Sequence, residues 1–196
     1  MKTYSPEEKF ILEYLEKKLP EDLTYHGLHH TIDVLNAAMK IGETENLSAH
    51  EIKLLRIAVL FHDAGFTEKY KDHEHHGCDM AKKDLSRFGY TDKEIEIICG
   101  MIMATKIPQN PKNLLEKIIC DADLDYLGRN DFNRISNTLF EEMKIYGHIH
   151  DIKEWNKIQE NFLKKHQYYT EFGKKNREHL KCEHLQKISK LVSSYH

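Results

Sequence analysis

Apolar residues recur at helical spacing along nearly the whole chain, and alternating strand-like runs are scarce. Ser5 followed by Pro6 is a helix start, a capping side chain before a proline whose missing N–H costs nothing there. The helix it opens puts Phe10, Ile11, Tyr14 and Leu15 on one face and must stop by Pro20. A second helix is predicted over 29–42, with Ile32, Val34, Leu35, Ala38 and Met39 apolar and Gly42 as its end. Ser48 and Glu51 have capping-box spacing. Leu54, Leu55, Ala58, Val59 and Phe61 then make the second half of that helix almost wholly apolar, which predicts a buried central element. Further helices are predicted over about 73–87, 91–104, 113–126, 130–146, 151–167 and 174–193, with a turn at the PQNP stretch of 108–111. The expected architecture is all-α, a compact helical bundle in a single domain spanning 1–196.

Composition narrows the functional classes. The chain has 196 residues, 29 Lys and Arg against 32 Asp and Glu, and a formal net charge of -3. A near-neutral balance excludes general electrostatic attraction to nucleic acid or anionic membrane as the main activity. The charged N-terminal stretch lacks an apolar signal core, and no run approaches 18 uncharged apolar residues. Cys78, Cys99, Cys120 and Cys182 form no CxxC pair. An intracellular, cytoplasmic protein with reduced thiols is expected.

Polar residues interrupt the apolar pattern in three places. In YHGLHHTIDV (25–34), His26 and His30 are four apart and would share a helical face. In AVLFHDAGF (58–66), His62 and Asp63 end an apolar helix, where a buried charge needs partners or a metal. In ICDADLDYLGR (119–129), Asp121, Asp123 and Asp125 crowd the end of another apolar helix and oppose its dipole. A lone helical histidine is more often solvated than ligating, and a lone His-Asp pair is commonly a local cap. Together, two imidazoles and two carboxylates suit a divalent first-row metal: Mn, Fe, Co, Ni or Zn. Magnesium, which prefers oxygen ligands, fits less well. A metal with open positions turns water into a nucleophile near neutral pH.

This order, H…HD…D, resembles the signature of the HD-domain metal-dependent phosphohydrolase superfamily over residues 22–130. YHGLHHTIDV is similar to the YHNxxHAxDV motif of cyclic nucleotide phosphodiesterases, and HEHHGCDMA (73–81) to the HExxSA stretch of triphosphohydrolase members. The resemblance implies His30, His62, Asp63 and Asp123 as metal ligands. Asp123 is preferred to Asp121 because it follows the alanine of the family's ADx motif; Asp121 and Asp125 are expected to be solvated or to support the ligands. It places His26 where phosphodiesterases protonate the leaving oxygen, and His73, with Glu74, in the active site. Lys106 stands where two-metal members carry a His-His pair, and could instead meet a substrate phosphate. Arg129 either binds phosphate or pairs with Asp125, with pairing preferred. His29 is expected to point away from the site, and the remaining histidines, through His196, to be surface residues. Tyr168, Tyr169 and Trp155 read as packing residues. The resulting expectation is a phosphohydrolase acting on a phosphoester or phosphoanhydride, foremost a nucleotide, with Asp63, His26, His73 and Lys106 in catalysis. The alternatives are an HD-type oxygenase, which the absent His-His pair weakens, and a non-catalytic nucleotide sensor. The sequence leaves the oligomeric state open.

Overall fold

A computed structural model describes residues 4–195. At its centre lies α3 (Ala49–Phe61), the helix with the apolar second half, in which Leu55, Ala58, Val59, Leu60 and Phe61 have no exposed surface. Four helices cover it: α1 (Pro6–Lys18), α2 (Leu28–Thr44), α5 (Asp92–Ala104) and α6 (Leu114–Asp123). Burying aliphatic side chains from all sides is the main term holding this half together. α4 (His73–Leu85) packs on α5 and on the short 3-10 turn Ala64–Thr67 that follows α3. Among the described residues there is no strand, as the periodicity predicts. Among the described residues no helix is long and apolar enough to cross a membrane.

A second apolar cluster sits beside the first. It is built by the 3-10 turn Asp125–Gly128, α7 (Phe132–Ile145), α8 (Ile152–Lys165) and α10 (Glu178–Ser193) around Leu127, Phe132, Leu163 and Ile188. α10 lies along α8, and the six-residue α9 (Glu171–Asn176) reaches back to α2.

Helix starts follow their sequence signals. Ser5, Ser48 and Thr91 each accept from the N–H three residues on, and the glutamate there returns the bond. Three ends differ from expectation. α2 runs past Gly42 to Thr44, and Gly42 is instead where α2 meets Ile52 and Leu47 closely. α6 stops at Asp123 rather than 126, where Leu124 leaves helical geometry at φ -106. The helix predicted over 174–193 is broken at Arg177, whose φ is -124. Its side chain is drawn to Asp125 and its backbone presses on Gly128, where a Cβ would come within 2.3 Å of the Arg177 carbonyl oxygen.

Candidate metal centre

His30 enters the centre from the first turns of α2, His62 and Asp63 from the end of α3, and Asp123 from the end of α6. His30 Nε2 is 3.1 Å from Asp123 Oδ1 and 3.5 Å from Asp63 Oδ2. His62 Nε2 is 3.2 Å from Asp63 Oδ2 and 3.6 Å from Asp123 Oδ1. The structure therefore brings all four expected ligands together. Among the described residues, His30, His62 and Asp123 present donor atoms that all lie within 4.8 Å of one another.

The donor set fits a divalent cation. His62 donates its Nδ1 hydrogen to the Val59 carbonyl at 2.7 Å, which fixes the ring and turns Nε2 inward. His62 Nε2 and Asp63 Oδ2 are both buried and, though close, are not aligned for a hydrogen bond; neither has another hydrogen-bond partner. Burial would raise both aspartates, yet the neighbouring imidazoles outweigh it and hold Asp63 well below its usual range and Asp123 down at about 2. Burial would likewise discharge His62, but Asp63 and Asp123 push it well upward. Two ionised carboxylates facing two imidazoles in a nearly dry cluster are what a cation of intermediate softness requires.

The other candidates are arranged around this set. His26 sits just before α2, its Nδ1 2.5 Å from Glu142 Oε1 on α7. The second Glu142 oxygen accepts from the backbone N–H groups of Tyr25 and His26 at 2.8 and 2.9 Å. Burial lowers the affinity of His26 for its proton, and Glu142 more than restores it. His73 begins α4, with Nε2 3.5 Å from Asp63 Oδ1. Phe66 stacks on both imidazoles, at 4.4 Å from His26 and 3.9 Å from His73. Glu142 and Phe66 are the members that sequence reasoning misses.

Lys106 is not brought to the site. Its ammonium is 2.7 Å from Asp72 Oδ1, and it lies outside the lining of the central cavity, whereas its neighbours Thr105 and Ile107 line that cavity. Asp121 is buried rather than solvated and accepts from Tyr169 N–H, Thr170 N–H and the Thr170 hydroxyl at 2.6–2.8 Å. Asp125 pairs with Arg177 at 2.7 Å. Arg129 spends its guanidinium mainly on Asp33 and Asp131, with Asp125 at 3.5 Å. His29 is exposed, as expected, but two other histidines are not surface residues. His184 is buried against Phe132, and both ring nitrogens of His166 are shielded from water. His196 lies outside the described residues. The four cysteines are free, three of them buried.

A cavity of about 320 Å³ opens onto the centre, with Asp63, Asp123, His26, His73 and Glu74 at its polar end. The sequence profile of the HD domain matches residues 27–125, just over half of the chain, and the matched span contains all four clustered ligands. The chain belongs to the HD-domain family. This HD protein shares its fold with the crystal structure of a predicted HD superfamily hydrolase from an uncultured Thermotogales bacterium. The two superpose with a TM-score of 0.63 over 96% of this chain and 92% of that one, at 19% identity. No curated protein matches the sequence. Membership makes this chain a member of a metal-dependent hydrolase family.

Proposed function

We propose that this HD protein hydrolyses a phosphoester with the help of a divalent metal held by His30, His62, Asp63 and Asp123. The observation that carries the reading is the buried, unpartnered pair His62 Nε2 and Asp63 Oδ2, the latter residue lining the polar end of a cavity of about 320 Å³. A bound divalent metal supplies Lewis acidity, which lowers the pKa of water and polarises a phosphoryl oxygen. The chain does the rest. Val59 sets the tautomer of His62 through Nδ1. Glu142 grips the backbone at 25–26 and the Nδ1 of His26, leaving Nε2 as the nitrogen available to the cavity. A proton held there is placed to pass to a leaving oxygen. His73 is fixed from the other side by Phe66 and by its Nδ1 contact of 3.3 Å with the Tyr70 carbonyl. The apolar walls beyond exclude bulk water and so strengthen these interactions.

The test loads the full chain with Mn, Co or Ni and assays a panel of phosphate esters alongside thermal unfolding. Asp63→Ala should abolish turnover, a loss of at least about 10³-fold. It should also remove the metal-induced stabilisation expected of the unaltered chain, about 2.7 kcal/mol at a metal concentration 100 times Kd, read as a rise in Tm. Turnover that survives in Asp63→Ala refutes the assignment.

A further inference from the structure

Beyond the polar end, the cavity changes character. Its deeper walls come from α7, α8 and the 3-10 turn between α6 and α7, through Leu127, Phe132, Leu139, Met143, Trp155 and Phe162. Gln159 is the one side-chain amide among these deeper walls, beside the Tyr126 hydroxyl and the Trp155 indole N–H, and it is already occupied: Ser136 donates to its Oε1, and its Nε2 donates to Asn156 at 3.3 Å. Among the described residues, no lysine or arginine lines the cavity. Lys106 is engaged by Asp72, Arg129 by Asp33 and Asp131, and Arg177 by Asp125, while Lys165 lines only the adjoining outside groove. The outer lip is apolar too, since Ile107 and Ile158 are exposed and face both the cavity and a shallower outside groove.

These walls fit one kind of molecule poorly and another well. A nucleoside polyphosphate carries several charges that need guanidinium or ammonium partners, and a base whose polar edge needs donors and acceptors. The chamber offers no cation, and toward a base edge only the Tyr126 hydroxyl and the Trp155 N–H beside an occupied Gln159. An apolar void inside a core forfeits contacts that a nonpolar ligand would restore, and such voids take up nonpolar molecules readily. We propose that the substrate is an amphiphilic phosphate ester, with its single phosphate at the metal centre and an alkyl or aryl group filling the chamber. This rests on the hydrolase reading above. In the reaction, a water oxygen bonds to phosphorus, the ester P–O bond breaks, and the released alcohol oxygen takes a proton. One water is consumed and no redox partner is needed.

Trp155, the sole tryptophan, lines the chamber, so its fluorescence reports occupancy without turnover. The metal-free full chain is titrated with monoalkyl phosphates from methyl to octyl, each below its micellar concentration, and with AMP and ATP. Kd should fall about threefold to fourfold per added methylene until the chamber is full. AMP and ATP should leave Trp155 unchanged and displace octyl phosphate weakly. Leu139→Phe should move the preferred chain length shorter and Leu139→Ala longer, with Tm recorded for both; should Leu139→Phe fail to fold, Met143→Phe serves the same purpose. Affinity independent of chain length, or AMP or ATP binding more tightly than octyl phosphate, overturns the assignment. The two readings fail separately. Chain-length-dependent binding with no ester cleaved under any metal sinks the hydrolase and leaves the chamber. Equal kcat/KM for methyl phosphate, AMP and octyl phosphate sinks the chamber and leaves the hydrolase.

Discussion

Glu142 shows what one side chain can do that its sequence context hides. Its neighbour Glu141 is solvent-exposed, whereas the Glu142 carboxylate is fully buried, 116 residues from the His26 it holds. In the run LFEEMKIYG the two glutamates are indistinguishable, because only the docking of α7 decides which one faces inward. The four metal-facing residues were legible for the opposite reason. His62, Asp63 and Asp123 are charges at the ends of apolar helices, which propensity alone cannot excuse, while His30 and the choice of Asp123 over Asp121 came from the H…HD…D resemblance. The role of Lys106 was not legible, since its ammonium is claimed by Asp72, a residue in the left-handed region at φ 57 on another element. Glu142→Gln keeps an acceptor for the N–H groups of Tyr25 and His26 but removes the charge beside His26. We expect kcat to fall about 10²-fold with KM and Tm little changed. A parallel loss in Tm would make Glu142 merely structural.

Elements meet here at glycines that allow backbones to touch. A Cβ on Gly65 would lie 2.0 Å from the His73 carbonyl oxygen, and one on Gly77 would lie 2.6 Å from that of Phe61. These contacts seat the 3-10 turn Ala64–Thr67 and α4 against the end of α3, and so set where His73 stands relative to Asp63. Gly65→Ala cannot be relieved by rotating a side chain, because the clash is with backbone. It should cost about 3 kcal/mol or more in urea unfolding, with His73 displaced. Helix starts were readable because a cap is a local hydrogen bond. The break at Arg177 was not, because its causes, Asp125 and Gly128, are about 50 residues away.

For the whole molecule, acid is the sensitive direction. Burial and the charge of Lys181 push His166 down to about 3 from its usual 6.5, against a weaker opposite pull from Asp123. Between those two values the unfolded chain binds a proton that the folded chain does not. Stability from this group is therefore whole above 6.5 and declines as pH falls, by up to about 1.4 kcal/mol per unit. His166→Phe keeps a ring between Phe162 and Tyr168 and removes the buried nitrogens. Its stability relative to the unaltered chain should be similar at pH 8 and about 2 kcal/mol greater near pH 5 in paired denaturation curves. An identical pH slope in the two would exclude His166 as the source.

The three aspartates at the end of α6 have a consequence for how information could move through the molecule. Asp121 moors Tyr169 and Thr170, Asp125 moors Arg177, and Asp123 stands between them at the metal centre. The C-terminal tail is thus fastened on both sides of a single ligand. If ordering that tail and positioning that ligand share an entropic cost, each lowers it for the other, and by linkage the effect is reciprocal. A cation gripped by Asp123 would tighten a segment that lies outside the HD-domain match, and anything that loosens the tail would be felt as a weaker grip on the cation.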